Sequence, residues 1–183
     1  VLSEVASMVS TKTIDVVLDI LKRERGKFQV PALTELAEVT KDPFKVLISC
    51  ILSLRTKDAV TAAASKRLYA VADTPKTLAA LDVRTIERLI YPAGFYRTKA
   101  KQIKEIARQI HEDYHDRVPA TMEELLQFKG VGRKTANIVL VYGFGKEGLP
   151  IDVHCFRVPQ RWGGITAKTP EEAEMALRNL LPK

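Results

Sequence analysis

The amino-acid sequence predicts an all-α fold on two kinds of observation. Apolar residues recur at the spacing of a helix face; between residues 11 and 25 this spacing is set by Ile14, Val17, Leu18 and Leu21. Helix-start signals also recur along the chain, whereas the apolar and polar alternation of strands is nearly absent. With 46% hydrophobic residues, the 183-residue chain has ample material for a packed core.

A buried central helix is predicted over Phe44–Leu54. Asp42 and Pro43 before it supply a cap and a first-turn proline, and the helix itself is apolar nearly all round. A helix without a polar face belongs in a core. The looser segment from Gly26 to Asp42 is interpreted as a connection between two lobes. Further helices are predicted at Ala59–Val71 and in two short segments that end near Tyr91.

The second half of the chain continues the helical pattern. After a turn over Pro92–Lys99, a long helix carries Ile103, Ile106 and Ile110 on one face. Two threonine–glutamate pairs have the spacing of capping boxes and start later helices; they are Thr121/Glu124 and Thr169/Glu172. Other helices are predicted at Lys134–Phe144 and directly after Asp152.

The net charge of +7 indicates affinity for a polyanion without identifying it. Cys50 and Cys155 lie far apart and are interpreted as reduced intracellular thiols, not as a disulfide framework. No segment approaches the roughly 18 consecutive apolar residues of a membrane span, and the first residues do not resemble a signal peptide. We therefore expect an intracellular monomer without membrane contact.

The segment Gly130-Val131-Gly132 is the most informative motif. Two glycines around one aliphatic residue allow a tight turn that directs backbone N–H groups outward at the start of the next helix. Such a helix start binds anions, and a phosphate is the anion expected. Lys134 lies one residue past the hairpin, and Asp152 lies 18 positions further on, each near the start of its own helix.

Lys134 and Asp152 each have a structural and a chemical interpretation. A lysine beside a phosphate-binding hairpin is commonly a phosphate contact, but an unprotonated amine is also a nucleophile. Asp152 is well placed as a helix N-cap, and its carboxylate can also stabilise a positive sugar-like transition state or accept a proton. The two roles of Asp152 are compatible, because a cap fixes the position of the carboxylate.

The hairpin, lysine and aspartate together resemble the helix-hairpin-helix and Gly/Pro-rich loop–Asp signature of base-excision DNA glycosylases. Within that superfamily the sequence is most similar to the endonuclease III family. The residues that carry the resemblance are Gly130–Ala136 and Gly148–His154. The likeness extends upstream through Ser53–Asp58 and Gly94–Ala100, and downstream to Pro182, so that it covers roughly residues 11 to 183.

The resemblance implies a two-lobed helical fold with the active-site cleft between the lobes. Residues 36–146 would form the central bundle with the hairpin, and residues 1–35 and 147–183 the second lobe. Lys134 falls on the position of the family's catalytic lysine, and Asp152 on that of its catalytic aspartate. A lysine there is typical of the bifunctional glycosylase and lyase branch. The implied partner is double-stranded DNA with damaged bases or abasic sites, in the cytoplasm and nucleoid or in a nucleus, and the implied substrates are oxidised pyrimidines.

The resemblance also assigns DNA contacts by position. Arg55 matches the residue that fills the gap left by an extruded nucleotide, and Phe95 matches a wedge inserted into the opposite strand. For Phe95 the alternative is a buried turn residue. Phosphate contacts are expected from the hairpin and from Lys57, Arg97, Lys99 and Arg133, and support of the Asp152 helix from His154 and Arg157.

The sequence departs from the family pattern in three places. Phe128-Lys129 precede the hairpin where the family commonly has Leu-Pro, and Pro159 is expected to kink or shorten the helix after Asp152. Endonuclease III relatives commonly carry a [4Fe–4S] cluster on four closely spaced cysteines after the last helix. This sequence has two cysteines, so no cofactor or metal site is evident within it, and a cluster would need a further cysteine-rich segment.

Two alternative functions remain open. A non-catalytic helix-hairpin-helix DNA-binding module needs the hairpin and the positive charge, but it does not need an aspartate at this spacing. The sequence separates a mismatch or alkylated-base glycosylase on the same fold less well, because the choice of base depends on the shape of the base pocket. The sequence does not define that pocket.

Overall fold

The computed structural model describes residues 11–27 and 40–181, and every regular element within them is helical. This confirms the all-α prediction. A 3₁₀ turn, Arg25–Lys27, follows the first helix, and a π-helical segment, Val139–Gly143, follows the eighth. The α-helices described are α1 Thr11–Glu24, α2 Pro43–Ser53, α3 Asp58–Tyr69, α4 Pro75–Ala80, α5 Val83–Ile90, α6 Tyr96–Asp113, α7 Met122–Leu125, α8 Arg133–Ile138, α9 Val153–Arg161 and α10 Pro170–Leu180.

The described residues fall into two compact units. The larger unit holds residues 40–148, and the smaller unit holds residues 11–27 and 149–181. The first lobe boundary expected from the sequence, between residues 35 and 36, lies outside the described residues, as does most of the connection expected before Asp42. At the second boundary the chain divides between Gly148 and Leu149, where the sequence interpretation places it after residue 146.

Helix α2 is the centre of the larger unit, as its uniform apolar character predicts. Eight of its eleven residues are buried, and it packs against α3, α6, α8 and the π-helical segment. Asp42 caps its start by accepting from the backbone N–H groups of Phe44 (2.9 Å) and Lys45 (3.4 Å). Inside the core, the Ser49 and Tyr69 hydroxyls lie 2.6 Å apart, and Tyr69 donates to the Lys45 carbonyl at 2.9 Å.

Cations close the ends of two helices in this unit. Lys104 on α6 donates from Nζ to the carbonyls of Ala79 (2.8 Å) and Leu81 (2.5 Å), where α4 ends. Arg67 on α3 donates from Nε to the carbonyl of Leu89 (2.8 Å), where α5 ends. The last carbonyls of a helix lack intrahelical donors and form the negative end of its dipole. A cation therefore supplies the missing hydrogen-bond donors and also opposes the negative charge at the helix end.

The smaller unit has its own apolar cluster, formed by Ile151, Ile165, Ala167, Ala173 and Leu177. Thr169 caps α10 by accepting from the Glu172 N–H at 3.2 Å. The Glu172 carboxylate accepts from the N–H of Lys168 at 2.7 Å, one residue earlier than in the predicted capping box. Helix α9 continues through Pro159 and ends two residues later, at Arg161.

The helix predicted over Lys134–Phe144 is α-helical only as far as Ile138, and the remainder is a π-helix. Gly143, at its end, lies against the start of α2. A Cβ at Gly143 would lie 2.7 Å from Pro43 Cα and 2.8 Å from Pro43 Cβ, closer than such atoms approach in real structures. This close approach is a tertiary feature that apolar spacing along the chain does not reveal.

We predict that Gly143→Ala lowers the free energy of unfolding by about 1–3 kcal/mol, because the added methyl group overlaps backbone atoms that cannot rotate away. Gly132→Ala is the matched control, since a Cβ there meets nothing within 4 Å. Its stability should stay within about 1 kcal/mol of wild type. Urea unfolding followed by circular dichroism measures both variants, and equal stability of the two would contradict the close packing at Gly143.

Candidate nucleic-acid interface

The turn between α7 and α8 forms the predicted hairpin. Gly130 has a φ of +80°, a left-handed conformation that favours glycine, and a Cβ there would lie 2.4 Å from Nε2 of Gln102. Val131 is buried, and its N–H donates to the carbonyl of Phe128 at 3.0 Å. Gly132 is the N-cap of α8, and no side chain caps this helix. The hairpin thus anchors its valine in the core and keeps both glycines on the surface.

Helix α6 holds the hairpin from the side. Gln102 donates from Nε2 to the carbonyl of Lys129 at 2.9 Å. A cavity of about 600 Å³ opens beside this contact, and Arg97, Lys101 and Lys129 line it together with Glu105, whose carboxylate is paired within α6. The surface next to the hairpin is therefore rich in positive charge. Lys101 and Lys129 were not among the predicted contacts, although the i, i+4 spacing of Arg97 and Lys101 indicates one helix face.

Lys134 is the second residue of α8, and its side chain is exposed. Its charge acts on Cys50 of α2, against which α8 packs. Burial raises the pKa of the Cys50 thiol to about 12, and the positive charge of Lys134 opposes part of that rise. The predicted nucleophile therefore lies one residue past the hairpin, and its charge acts on a buried, neutral thiol.

Asp152 is the N-cap of α9, as predicted. Its Oδ1 accepts from the backbone N–H groups of His154 (2.9 Å) and Cys155 (2.8 Å). These two bonds orient the half-buried carboxylate and stabilise its charged form. The side chains of His154 and Arg157 are exposed on α9. His154 therefore supports the aspartate through its backbone N–H.

Arg55 and Phe95 lie together although forty positions separate them in the sequence. The guanidinium carbon of Arg55 is 5.8 Å from the centre of the Phe95 ring. Both residues are in the left-handed region, with φ values of 51° and 57°. Phe95 is 64% exposed, which rules out the buried alternative considered for it. Gly94 permits the close approach, because a Cβ there would lie 2.4 Å from the carbonyl oxygen of Arg55.

Lys99 has a different position from the one expected of a phosphate contact. It is only 5% exposed, and its Nζ donates to the carbonyls of Leu52 (2.7 Å) and Leu54 (2.6 Å) and to Oγ1 of Thr56 (2.8 Å). An ammonium group has three N–H donors, and these three acceptors account for all of them. Lys99 therefore closes the end of α2, and this arrangement leaves no donor for a phosphate.

Three other predicted phosphate contacts remain at the surface. Lys57 is the exposed N-cap residue of α3. Arg97 is exposed, with its guanidinium carbon 5.6 Å from the centre of the Tyr96 ring. Arg133 is half-buried at the start of α8, and its carbonyl accepts from Asn137 Nδ2 at 3.1 Å. Their contact with phosphates stays a prediction.

The two cysteines do not fit a [4Fe–4S] cluster. Cys50 is buried inside α2, and Cys155 is exposed in the first turn of α9. A cluster of this type requires four thiolates, and the sequence provides two.

Comparison with known proteins identifies the family. A family model described as HhH-GPD superfamily base excision DNA repair protein matches residues 48–183, from within α2 through the hairpin and Asp152. The chain belongs to the HhH-GPD superfamily. Endonuclease III of Thermotoga maritima is 51% identical over 142 residues, which are 78% of this chain and 67% of that protein. Mouse endonuclease III-like protein 1 is 38% identical over 143 residues, 76% of this chain and 48% of that protein.

Solved structures of this superfamily match the fold. A trapped endonuclease III–DNA covalent intermediate has a TM-score of 0.82 and 30% identity, and the match covers 96% of this chain and 80% of that chain. A thermostable thymine-DNA glycosylase has a TM-score of 0.71 and 26% identity, with 80% and 69% covered. These matches confirm the helix-hairpin-helix glycosylase fold predicted from the motifs. Among the described helices, none is long and apolar enough to cross a membrane.

The buried ammonium group of Lys99 predicts a pH dependence of stability. Burial lowers the pKa of Lys99 from its ordinary 10.5 to about 8. Between these values the unfolded chain holds a proton that the folded chain lacks, so this group's contribution to the free energy of unfolding rises with pH. Below the folded pKa both states are charged, and above the unfolded pKa both are neutral.

We therefore expect wild type to gain stability relative to Lys99→Met between about pH 8 and pH 10.5. Urea unfolding of both proteins across this range measures the difference. The comparison of the two proteins cancels the titration of groups that they share. A difference that does not change with pH would show that the ammonium group is solvated in the folded protein.

Proposed function

We propose that this chain is a base-excision DNA glycosylase with abasic-site lyase activity, which acts on oxidised pyrimidines in duplex DNA. The observation that carries the proposal is the position of Lys134, which is the second residue of α8 and lies one residue past the Gly130–Gly132 hairpin. A related endonuclease III has been trapped as a covalent intermediate with DNA. The amine of a lysine is a nucleophile that can form such a covalent bond with the C1′ atom of the sugar.

Binding would begin at the hairpin. The uncapped start of α8 presents backbone N–H groups and a helix dipole to one phosphate, and the cations of the neighbouring cavity add sequence-independent attraction. The damaged nucleotide must then leave the duplex, because its C1′ atom cannot be reached within the stack. Arg55 and Phe95 are both exposed and in cation–π contact, and they are suited to fill the gap and to wedge the opposite strand.

Base removal would use Lys134 and Asp152 together. The neutral amine of Lys134 attacks C1′, its lone pair forms the new N–C1′ bond, and the base departs with the electrons of the glycosidic bond and takes up a proton. The Asp152 carboxylate stabilises the positive charge that develops on the sugar and accepts a proton from the attacking amine. The C1′–O4′ bond then breaks as the nitrogen lone pair forms the C1′=N bond, O4′ takes up a proton, and a protonated Schiff base joins Lys134 to C1′.

The Schiff base makes the lyase step possible. Its positive nitrogen acidifies the proton on C2′, and a base removes that proton. The electrons of the C2′–H bond form the C2′–C3′ double bond, and the C3′–O bond breaks. The 3′ phosphate leaves as the 5′ phosphate of the downstream strand, so the strand is cut on the 3′ side of the lesion.

A mismatched-thymine activity is the competing assignment, because a thymine-DNA glycosylase is 26% identical in sequence to this chain. Lysine at position 134 favours the lyase branch, since it supplies the Schiff base. A panel of duplexes with oxidised pyrimidines, mismatched thymine and alkylated purines separates the assignments. We expect the oxidised pyrimidines to be removed fastest, and faster removal of mismatched thymine would reassign the substrate.

We predict that borohydride traps the wild-type protein covalently on abasic-site DNA and that Lys134→Gln reduces trapping to background, because the Schiff base is lost. Lys129→Gln is the matched control, since it removes a cation from the hairpin flank without removing the nucleophile. Gel electrophoresis of the crosslinked complex measures all three proteins. Wild-type protein that binds DNA but does not crosslink would favour the non-catalytic binding module.

The substitution Asp152→Asn separates the capping role of Asp152 from the role of its negative charge. Asparagine is as good an N-cap as aspartate, so α9 should keep its stability, while base removal should fall by roughly 10²- to 10⁴-fold. Asp152→Ala should show the same loss of activity together with a loss of about 1 kcal/mol in the free energy of unfolding. Single-turnover base release and urea unfolding give the two readings. Unchanged base release by Asp152→Asn would reject the catalytic role.

A further inference from the structure

We propose that Lys99 is a positioning residue for nucleotide extrusion: it joins two turns so that Arg55 and Phe95 are held together where they enter the DNA. The inference rests on the proposed function. It gives Lys99, which makes no contact with DNA in this arrangement, a role in the step that precedes chemistry.

The first turn runs from Leu54 to Lys57, directly after α2, and the second precedes α6 and includes Gly94. Thr56 links them, because its Oγ1 accepts from the Gly94 N–H at 3.0 Å and from Lys99 Nζ at 2.8 Å. Lys99 also binds the carbonyls of residues 52 and 54, on either side of Ser53. One ammonium group and one hydroxyl thus fasten the two turns to each other.

These turns carry the Arg55–Phe95 pair in a conformation that needs such support. A non-glycine residue in the left-handed region costs roughly 1–2 kcal/mol, and it persists where surrounding contacts fix it. Arg55 and Phe95 are both in that region and both exposed, so burial of their side chains does not supply the fixing energy. The bonds of Lys99 to the carbonyls of Leu52 and Leu54 hold the backbone on the N-terminal side of Arg55.

A charged group suits this position better than an apolar one. The end of a helix presents carbonyl oxygens and the negative end of the dipole, and DNA would bring phosphates towards the same surface. Leu54, beside Arg55, is 46% exposed, so this turn lies at the surface. The buried Lys99 ammonium group compensates the negative charge at the end of α2, while Arg55 and Leu54 occupy the exposed side of the turn.

Lys104 provides a matched control within the same helix. It is five residues further along α6 and closes the end of α4 through two carbonyls, as Lys99 closes the end of α2. The loop that Lys104 fastens carries neither Arg55 nor Phe95. Loss of a helix-closing lysine is therefore common to Lys104→Met and Lys99→Met, whereas loss of support for the pair is specific to Lys99→Met.

The experiment compares wild type, Lys99→Met, Lys104→Met and Thr56→Val in borohydride trapping on an abasic site, placed either in a duplex or in a single strand. Only the duplex requires extrusion. We expect Lys99→Met to lower the trapping rate on the duplex by roughly tenfold to hundredfold while its rate on the single strand stays near wild type. Thr56→Val should change the duplex rate in the same direction, and Lys104→Met should leave the ratio of the two rates unchanged.

A fluorescence measurement tests the same step without chemistry. A 2-aminopurine base placed opposite the abasic site brightens when it is unstacked, and we expect this signal from wild type and Lys104→Met but not from Lys99→Met. If Lys99→Met does not fold, Thr56→Val carries the test alone, because valine keeps the shape of threonine and lacks the linking hydroxyl.

The outcomes separate this inference from the proposed function. Wild-type protein that does not crosslink to either substrate would overturn both. Wild-type crosslinking with the same duplex-to-single-strand ratio in Lys99→Met and Lys104→Met would overturn the role of Lys99 alone. An equal loss on both substrates would show that Lys99 has only a structural role.

Discussion

The larger unit depends on α2, a helix that is buried on nearly all sides. Because α2 is buried along almost its whole length, the polar groups at its two ends need partners from the protein itself. Asp42 supplies them at the start, and Lys99 supplies them at the end. The conformation of the turns at both ends of α2 therefore depends on these two side chains. The turn that contains Arg55 is fixed by the hydrogen bonds of Lys99 at the C-terminal end of α2.

Those features of the fold that follow from local chemistry could be predicted from the sequence. Periodicity and caps mark the helices, and the hairpin with Lys134 and Asp152 is a compact motif whose members lie near helix starts. The position of Lys99 could not be predicted in this way, because locally it is one of several cations around a glycine-containing turn. Its role depends on carbonyls more than forty positions earlier in the chain. The cation–π contact between Arg55 and Phe95 is likewise a tertiary contact without a periodic signal.

Structural and chemical demands coincide at several positions in the candidate site. The bonds by which Asp152 caps α9 also orient its carboxylate. Val131 fills the core, and by doing so it fixes the two glycines whose backbone faces the surface. Because one contact can meet a structural and a chemical need, the candidate residues lie at helix ends. A helix end is rigid on one side and offers unsatisfied polar groups on the other.

Helix α6 carries Phe95 immediately before its first residue, and Gln102, which holds the hairpin through the Lys129 carbonyl, lies two turns along it. An α-helix rises about 1.5 Å per residue, so the seven residues between them correspond to roughly 10 Å along one rigid rod. Helix α6 therefore holds Phe95 and the contact that supports the hairpin at a fixed axial spacing. A helix keeps this spacing more constant than a loop of the same number of residues would, because its backbone hydrogen bonds restrain every residue.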